Sequence, residues 1–115
     1  MNDQAIEQEI QAKGKTAQRI TPAAVADVIA GEYYFTAESA VGGFVVGDEI
    51  RSALSLLTFC VLVLRNGFTV TGESACASPE NFDAEIGRKI ARANAVEKIW
   101  QLEGYLLKQR LHDAK

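Results

Sequence analysis

The stretch Leu57-Thr58-Phe59-Cys60-Val61-Leu62-Val63-Leu64-Arg65-Asn66-Gly67-Phe68-Thr69-Val70-Thr71-Gly72-Glu73-Ser74-Ala75-Cys76 decides the fold. Asn66-Gly67 separates two runs rich in β-branched and aromatic residues, the pattern of a two-residue type I′ turn, which needs positive φ at both central positions. Residues 57–65 and 68–76 are therefore expected to form a hairpin. That register puts Phe59, Val61, Val63, Phe68 and Val70 on one face, the expected core, and Cys60, Leu62, Leu64, Thr69, Thr71 and Glu73 on the other. The first strand is apolar on both sides, so its second face is expected to be covered by another layer or by a second subunit. A homodimer or larger homo-oligomer follows as the expected assembly. The same register sets Cys60 opposite Glu73 and sends Cys76 from the other face, too far for a disulfide. The two cysteines then read as small apolar groups of a reducing compartment.

Downstream, Ser78-Pro79 pairs a capping hydroxyl with a proline at the first helical position, and Phe82, Ile86, Ile90, Ala93, Val96 and Trp100 recur every three or four residues. A long helix from Pro79 to at least Glu103 is predicted, continuing over Tyr105–Leu111, with Gly87 allowing close approach of the sheet and Gly104 either breaking the helix or tolerated within it. Upstream, Asp3 as N-cap, Ile6, Ile10 and Gly14 outline a short helix over 3–13. Thr21-Pro22 starts a second helix that Gly31 stops after about Ala30. Tyr33, Tyr34 and Phe35 read as core cover. The whole is α+β: a small antiparallel sheet built on the hairpin (about 57–76), packed by a long C-terminal helix (about 79–111), with short N-terminal helices. One domain is expected over 1–115, with a mobile N-terminal arm at 1–18 and a mobile Gly-rich loop at 40–48.

Size and charge narrow the function. At 115 residues, with 48% hydrophobic and 23% charged residues, the chain has the balance of a single folded domain rather than a disordered segment. A net charge of -3 and a pI near 5.1 offer no long-range attraction for phosphate backbones, so duplex DNA is not an expected partner. The N-terminus, polar and acidic from its second residue, lacks the basic and apolar regions of a secretory signal. The longest apolar run, Leu54 to Leu64, is too short to span a bilayer. These features are those expected of a cytoplasmic protein, away from membranes.

No catalytic constellation stands out. Gly72-Glu73-Ser74-Ala75-Cys76 lacks the last glycine of a serine nucleophile elbow, and the single histidine, His112, lies near the C-terminus. Two cysteines without a histidine pair match no zinc pattern. Phosphate-loop and dinucleotide-binding glycine signatures are missing. No cofactor and no metal is expected, and the chain reads as a binder rather than an enzyme. Asp83 and Glu85, in the first turns of the long helix, suit the helix dipole. Arg88 and Arg92 are four apart and share a helix face. They are either a solvated, salt-bridged surface or, beside Phe68 or Phe82, a phosphate clamp next to a purine-stacking ring.

The hairpin sequence continues through Ser78-Pro79-Glu80-Asn81-Phe82-Asp83, Ile86-Gly87-Arg88-Lys89-Ile90-Ala91, Ala95-Val96-Glu97-Lys98-Ile99-Trp100 and Leu102-Glu103-Gly104-Tyr105-Leu106. Over residues 55–111 this order of motifs resembles the small phage and prophage proteins named after gene product forty-nine of a podovirus and gene sixty-six of a Shigella phage. It is also similar to the first-described Thoeris anti-defence proteins. The latter resemblance implies a sponge that binds a cyclic ADP-ribose isomer or a cyclic oligonucleotide without degrading it, in pockets between subunits. It makes Phe68, Asn81, Phe82, Arg88 and Arg92 the candidate ligand-binding residues. The competing expectation is a phage accessory protein that binds and modulates a host protein through its N-terminal arm and the exposed face of the long helix.

Overall fold

The computed structural model describes residues 3–115, in the order α1 (Asp3–Ala12), α2 (Pro22–Asp27), β1 (Ile29–Thr36), α3 (Ala37–Val41), α4 (Asp48–Leu54), β2 (Leu57–Leu64), β3 (Thr69–Ala75), a 3₁₀ turn (Pro79–Asn81) and α5 (Ala84–Asp113). The three strands form one antiparallel sheet in the order β1-β2-β3, and α5 lies across β2 and β3. This is the expected α+β architecture. Among the described residues, no helix is long and apolar enough to cross a membrane.

The hairpin closes differently from a two-residue turn. Gly67 N donates to Leu64 O at 2.8 Å and Leu64 N donates to Phe68 O at 2.8 Å, so Arg65, Asn66 and Gly67 form a three-residue loop. Within the loop only Gly67 has positive φ, at 89°, and among the described residues no non-glycine residue does, which rules out type I′. Asn66 contributes through its side chain instead, its Oδ1 accepting from Phe68 N at 3.0 Å. The extra loop residue moves the register by one, so Cys60 pairs with Gly72 and Leu62 with Val70. A one-residue shift against β3 turns every β2 side chain to the opposite face, while Val70 keeps its expected place in the core. The core face is therefore Thr58, Cys60, Leu62, Leu64 and Val70, all buried, whereas Phe59, Val61 and Val63, expected inside, are only partly buried on the outer face. Phe68 and Val70 keep the expected core side, and Phe68 stands opposite Leu64, toward α5. Both cysteines are free, as expected, although Cys60 lies opposite Gly72 rather than Glu73.

The helix also presents a different stripe from the one expected. Gly87, Ala91, Ala95 and Ile99, spaced four apart, face the sheet, while Ile86 and Ile90 are exposed and Val96 and Trp100 pack at the side of the core. Small side chains win these positions because α5 approaches the sheet closely. A Cβ on Gly72 would lie 2.2 Å from Ala91 O, and one on Gly87 would lie 3.1 Å from Thr58 Oγ1. Full burial of Leu62 and Ile99 then adds about 1.5–3 kcal/mol apiece.

Several boundaries move. Ser78-Pro79 opens only the 3₁₀ turn, and α5 starts one turn later, where Asp83 as N-cap accepts from Ile86 N at 3.0 Å. The helix runs unbroken through Gly104. Thr21 caps α2 as expected, accepting from Ala24 N, but the helix ends at Asp27 because Ile29–Thr36 pairs with β2 as a third strand. Tyr33, Tyr34 and Phe35 are therefore strand residues: Tyr34 packs against the core, while Tyr33 and Phe35 face outward. The Gly-rich segment shortens to residues 42–47 between α3 and α4. Asp3 stands in the first turn of α1 and accepts from Trp100 Nε1 at 3.2 Å. Of the 1–18 arm, residues 1 and 2 lie outside the described residues.

Candidate functional site

Phe68 follows the three-residue loop and stands opposite Leu64 at the end of the hairpin, and α5 is long enough to pass it. Thirty residues at 1.5 Å each give about 45 Å of helix, against about 26 Å for an eight-residue strand. The C-terminal third of α5 thus overhangs the hairpin end and encloses a cleft of about 430 Å³. Leu64, Val28, Leu102 and Leu106 supply aliphatic walls, and Phe68 and Tyr105 supply two rings. These rings are 57% and 71% exposed, so both are available to a ligand. Arg65, Asn66 and Glu103 bring polar groups to the cleft.

The loop wall is tied to the rest of the fold. Arg65 N donates to Val28 O at 2.9 Å, its Nε donates to the Asp27 carbonyl, and its guanidinium lies 3.9 Å from Asp27 Oδ1. The Arg65 side chain remains 64% exposed, so its charge is open to an incoming anion. Two rings over an aliphatic base favour a flat aromatic ligand, since base-on-ring stacking is worth about 1–3 kcal/mol per base. Glu103 opposes anions but accepts hydrogen bonds from amino or hydroxyl groups.

The five sequence-predicted residues do not meet in one place. Phe68 lines this cleft. Asn81 and Phe82 come together at the opposite end of α5, in a smaller cavity of about 130 Å³ with Leu56, Cys76 and Ile86. Along the helix the two places are about 24 Å apart, from the 1.5 Å rise over the sixteen residues between Ile86 and Leu102. Arg92 Nε donates to Glu32 Oε1 of β1 at 2.5 Å, which commits it to bracing helix against sheet. Arg88 is exposed on α5 and lines neither cavity. Arg65 and Tyr105 were missed as site residues. The signal for Tyr105 was its place at helical spacing with Leu102 and Leu106, and for Arg65 its position next to the turn.

Elsewhere the reactive groups are occupied structurally. Burial pushes the Cys60 thiol above its ordinary range and so keeps it protonated. Ser74 pairs with Thr58 in mid-strand rather than standing on a strand-to-helix turn. His112 is exposed in the last turn of α5.

Residues 20–111 match the phage protein (N4 Gp49/phage Sf6 gene 66) family. Neither a curated protein nor a solved structure gives a significant match.

Proposed function

Because the chain belongs to that phage protein family, we propose that it serves a phage by binding, holding a cyclic nucleotide-type immune signal without degrading it. The observation that carries this reading is the cleft between Phe68 and Tyr105. Its volume lies within the roughly 300–1,000 Å³ of small-molecule sites, and its lining is apolar with a few polar groups. The exposed Phe68 and Tyr105 rings offer faces on which a purine stacks, and Arg65 is the cation in the cleft lining for its phosphates. Cyclic ADP-ribose isomers and cyclic di- or trinucleotides share this combination of base and phosphate. Sequestration requires no nucleophile, metal or cofactor.

The reading includes self-association. The outer face of the sheet carries Phe59, Val61 and Val63 beside Tyr33 and Phe35, with Phe35 stacked on Phe59 at 5.3 Å. Tyr33 is 61% exposed there, and an apolar face of this kind suits a second copy. In an assembly, Arg88 of one copy is free to reach a ligand held by another.

Thermal-shift measurements with that ligand panel test the proposal. A ligand at 100 times its Kd stabilises by about 2.7 kcal/mol, on the order of 10 °C for a domain of this size. Phe68→Ala and Tyr105→Ala should each abolish the shift while the apo protein stays folded. No shift across the panel with folded wild-type protein sinks the sponge reading and favours its competitor, a host protein docked on the N-terminal arm and the exposed face of α5.

A further inference from the structure

Helix α1 stands apart from the core. None of its residues is buried, and the core cluster draws on α2, β2, β3 and α5 but not on α1. Its apolar pair, Ile6 and Ile10, lies over a groove lined by Ile20 and Trp100, with a space of about 290 Å³ between the two surfaces. Polar clips hold it in place. Arg19 donates twice to the Glu7 carboxylate, at 2.5 and 2.6 Å, and Trp100 donates to Asp3. The connecting residues 13–18 are exposed throughout, and Gly14, at φ 68°, turns the chain away from the helix. The family match begins at Ile20, so it includes the groove and leaves α1 outside.

We propose that α1 is a detachable latch on a helix-binding groove, and that the opened groove takes the α1 of a second copy. The occupant follows from what the groove already holds: an acidic amphipathic helix with apolar residues four apart and carboxylates placed for Trp100 and Arg19. Every copy of the chain carries that helix. An exchanged α1 remakes the same contacts, so exchange is opposed mainly by the cost of association. Residues 13–18, extended, reach about 20 Å toward a neighbour. An isolated ten-residue helix is marginal in water, so an undocked α1 melts and the groove is left open. Partial openings of this kind are drawn from segments with few buried contacts.

Charge reversal tests this in the full chain, with Trp100 as the only tryptophan. Glu7→Arg and Arg19→Glu each set like charges across the clip. Each variant alone should expose Trp100 to acrylamide at least two-fold more than wild type, while amide exchange in β2 and β3 stays slow. On mixing in equal amounts, the reversed helix of the first variant matches the reversed groove of the second, and the Glu7 helix of the second matches the Arg19 groove of the first, so quenching should fall back toward the wild-type value for nearly all the tryptophans. Association through the sheet face would not restore that protection. The double variant Glu7→Arg/Arg19→Glu should be latched like wild type. Unchanged quenching in both single variants, loss of β2 protection along with α1, or no recovery on mixing would each overturn the proposal.

Discussion

Replacing Gly72 by alanine inserts a methyl group where α5 leaves no room. The new Cβ would stand 2.2 Å from Ala91 O, 2.4 Å from Ala95 N and 3.0 Å from Ala95 Cα. Close carbon–oxygen contacts settle at about 3.3 Å, so the helix must retreat by about 1 Å. The obstacles are backbone atoms in mid-helix, and no rotamer change relieves them. A gap of that size forfeits roughly a quarter to a half of the dispersion energy across the interface, where Ile99 and Ala95 meet Leu62 and Val70. The expected loss is about 3 kcal/mol or more, at or beyond the upper end of ordinary overpacking and a large part of a domain's 5–15 kcal/mol. Urea unfolding followed by Trp100 fluorescence measures it. Gly87→Ala is the control, because its new Cβ would meet the Thr58 side chain at 3.1 Å rather than backbone, and a loss below about 1 kcal/mol is expected. A loss below about 1 kcal/mol for Gly72→Ala as well would refute the account of how α5 is seated.

Gly104→Ala should raise stability by about 0.5–1 kcal/mol in the same assay, since Gly104 lies within α5 with open space where its Cβ would be. The Arg19 hydrogen bonds, with help from Gln11, lower the Glu7 pKa from 4.5 to about 2, so the clip strengthens the fold above the unfolded-state pKa and that contribution fades as pH falls from 4.5 toward 2. Trp100 emission followed from pH 7 to pH 2 should report α1 release in that window, and a flat trace in Arg19→Ala would identify the clip as the cause. In the native protein Cys76 should react with a thiol reagent well before Cys60, which is buried and held protonated; equal rates would show that the sheet opens readily.

The hairpin and long helix were legible because each carries its own local signal, Asn-Gly for the turn and, for the helix, Ser-Pro followed by apolar residues recurring every three or four positions. Their facing was not. Two- and three-residue loops both use Asn-Gly, and a strand apolar at every position from Phe59 to Leu64 offers no alternation to choose between them. Hydropathy then favoured Ile86 and Ile90 over Gly87, Ala91 and Ala95, although close approach to Gly72 requires the smaller set. β1 escaped notice because Ala30-Gly31-Glu32 reads as a break, whereas Gly31 makes room for the Tyr33 ring, whose Cε2 would lie 2.9 Å from an added Cβ. At the site, Phe68 was found by residue type. Arg88 and Phe82 were too, and Asn81 came through the resemblance, but tertiary placement separates all three from the cleft. Tyr105 went unnoticed because nothing in the sequence reveals that α5 outruns the sheet.

With backbone resting on backbone at Gly72, the crossing acts as a fulcrum and the overhanging end of α5 as the arm of a lever. From Ala95 to Tyr105 the arm is about 15 Å long, so a tilt of about 4° at the crossing carries the Tyr105 end about 1 Å toward or away from Phe68. The opening of the cleft is in this sense a mechanical read-out of a backbone contact well away from it. Substitutions under the pivot would therefore change how far Tyr105 stands from Phe68 while leaving every residue that lines the cleft unchanged.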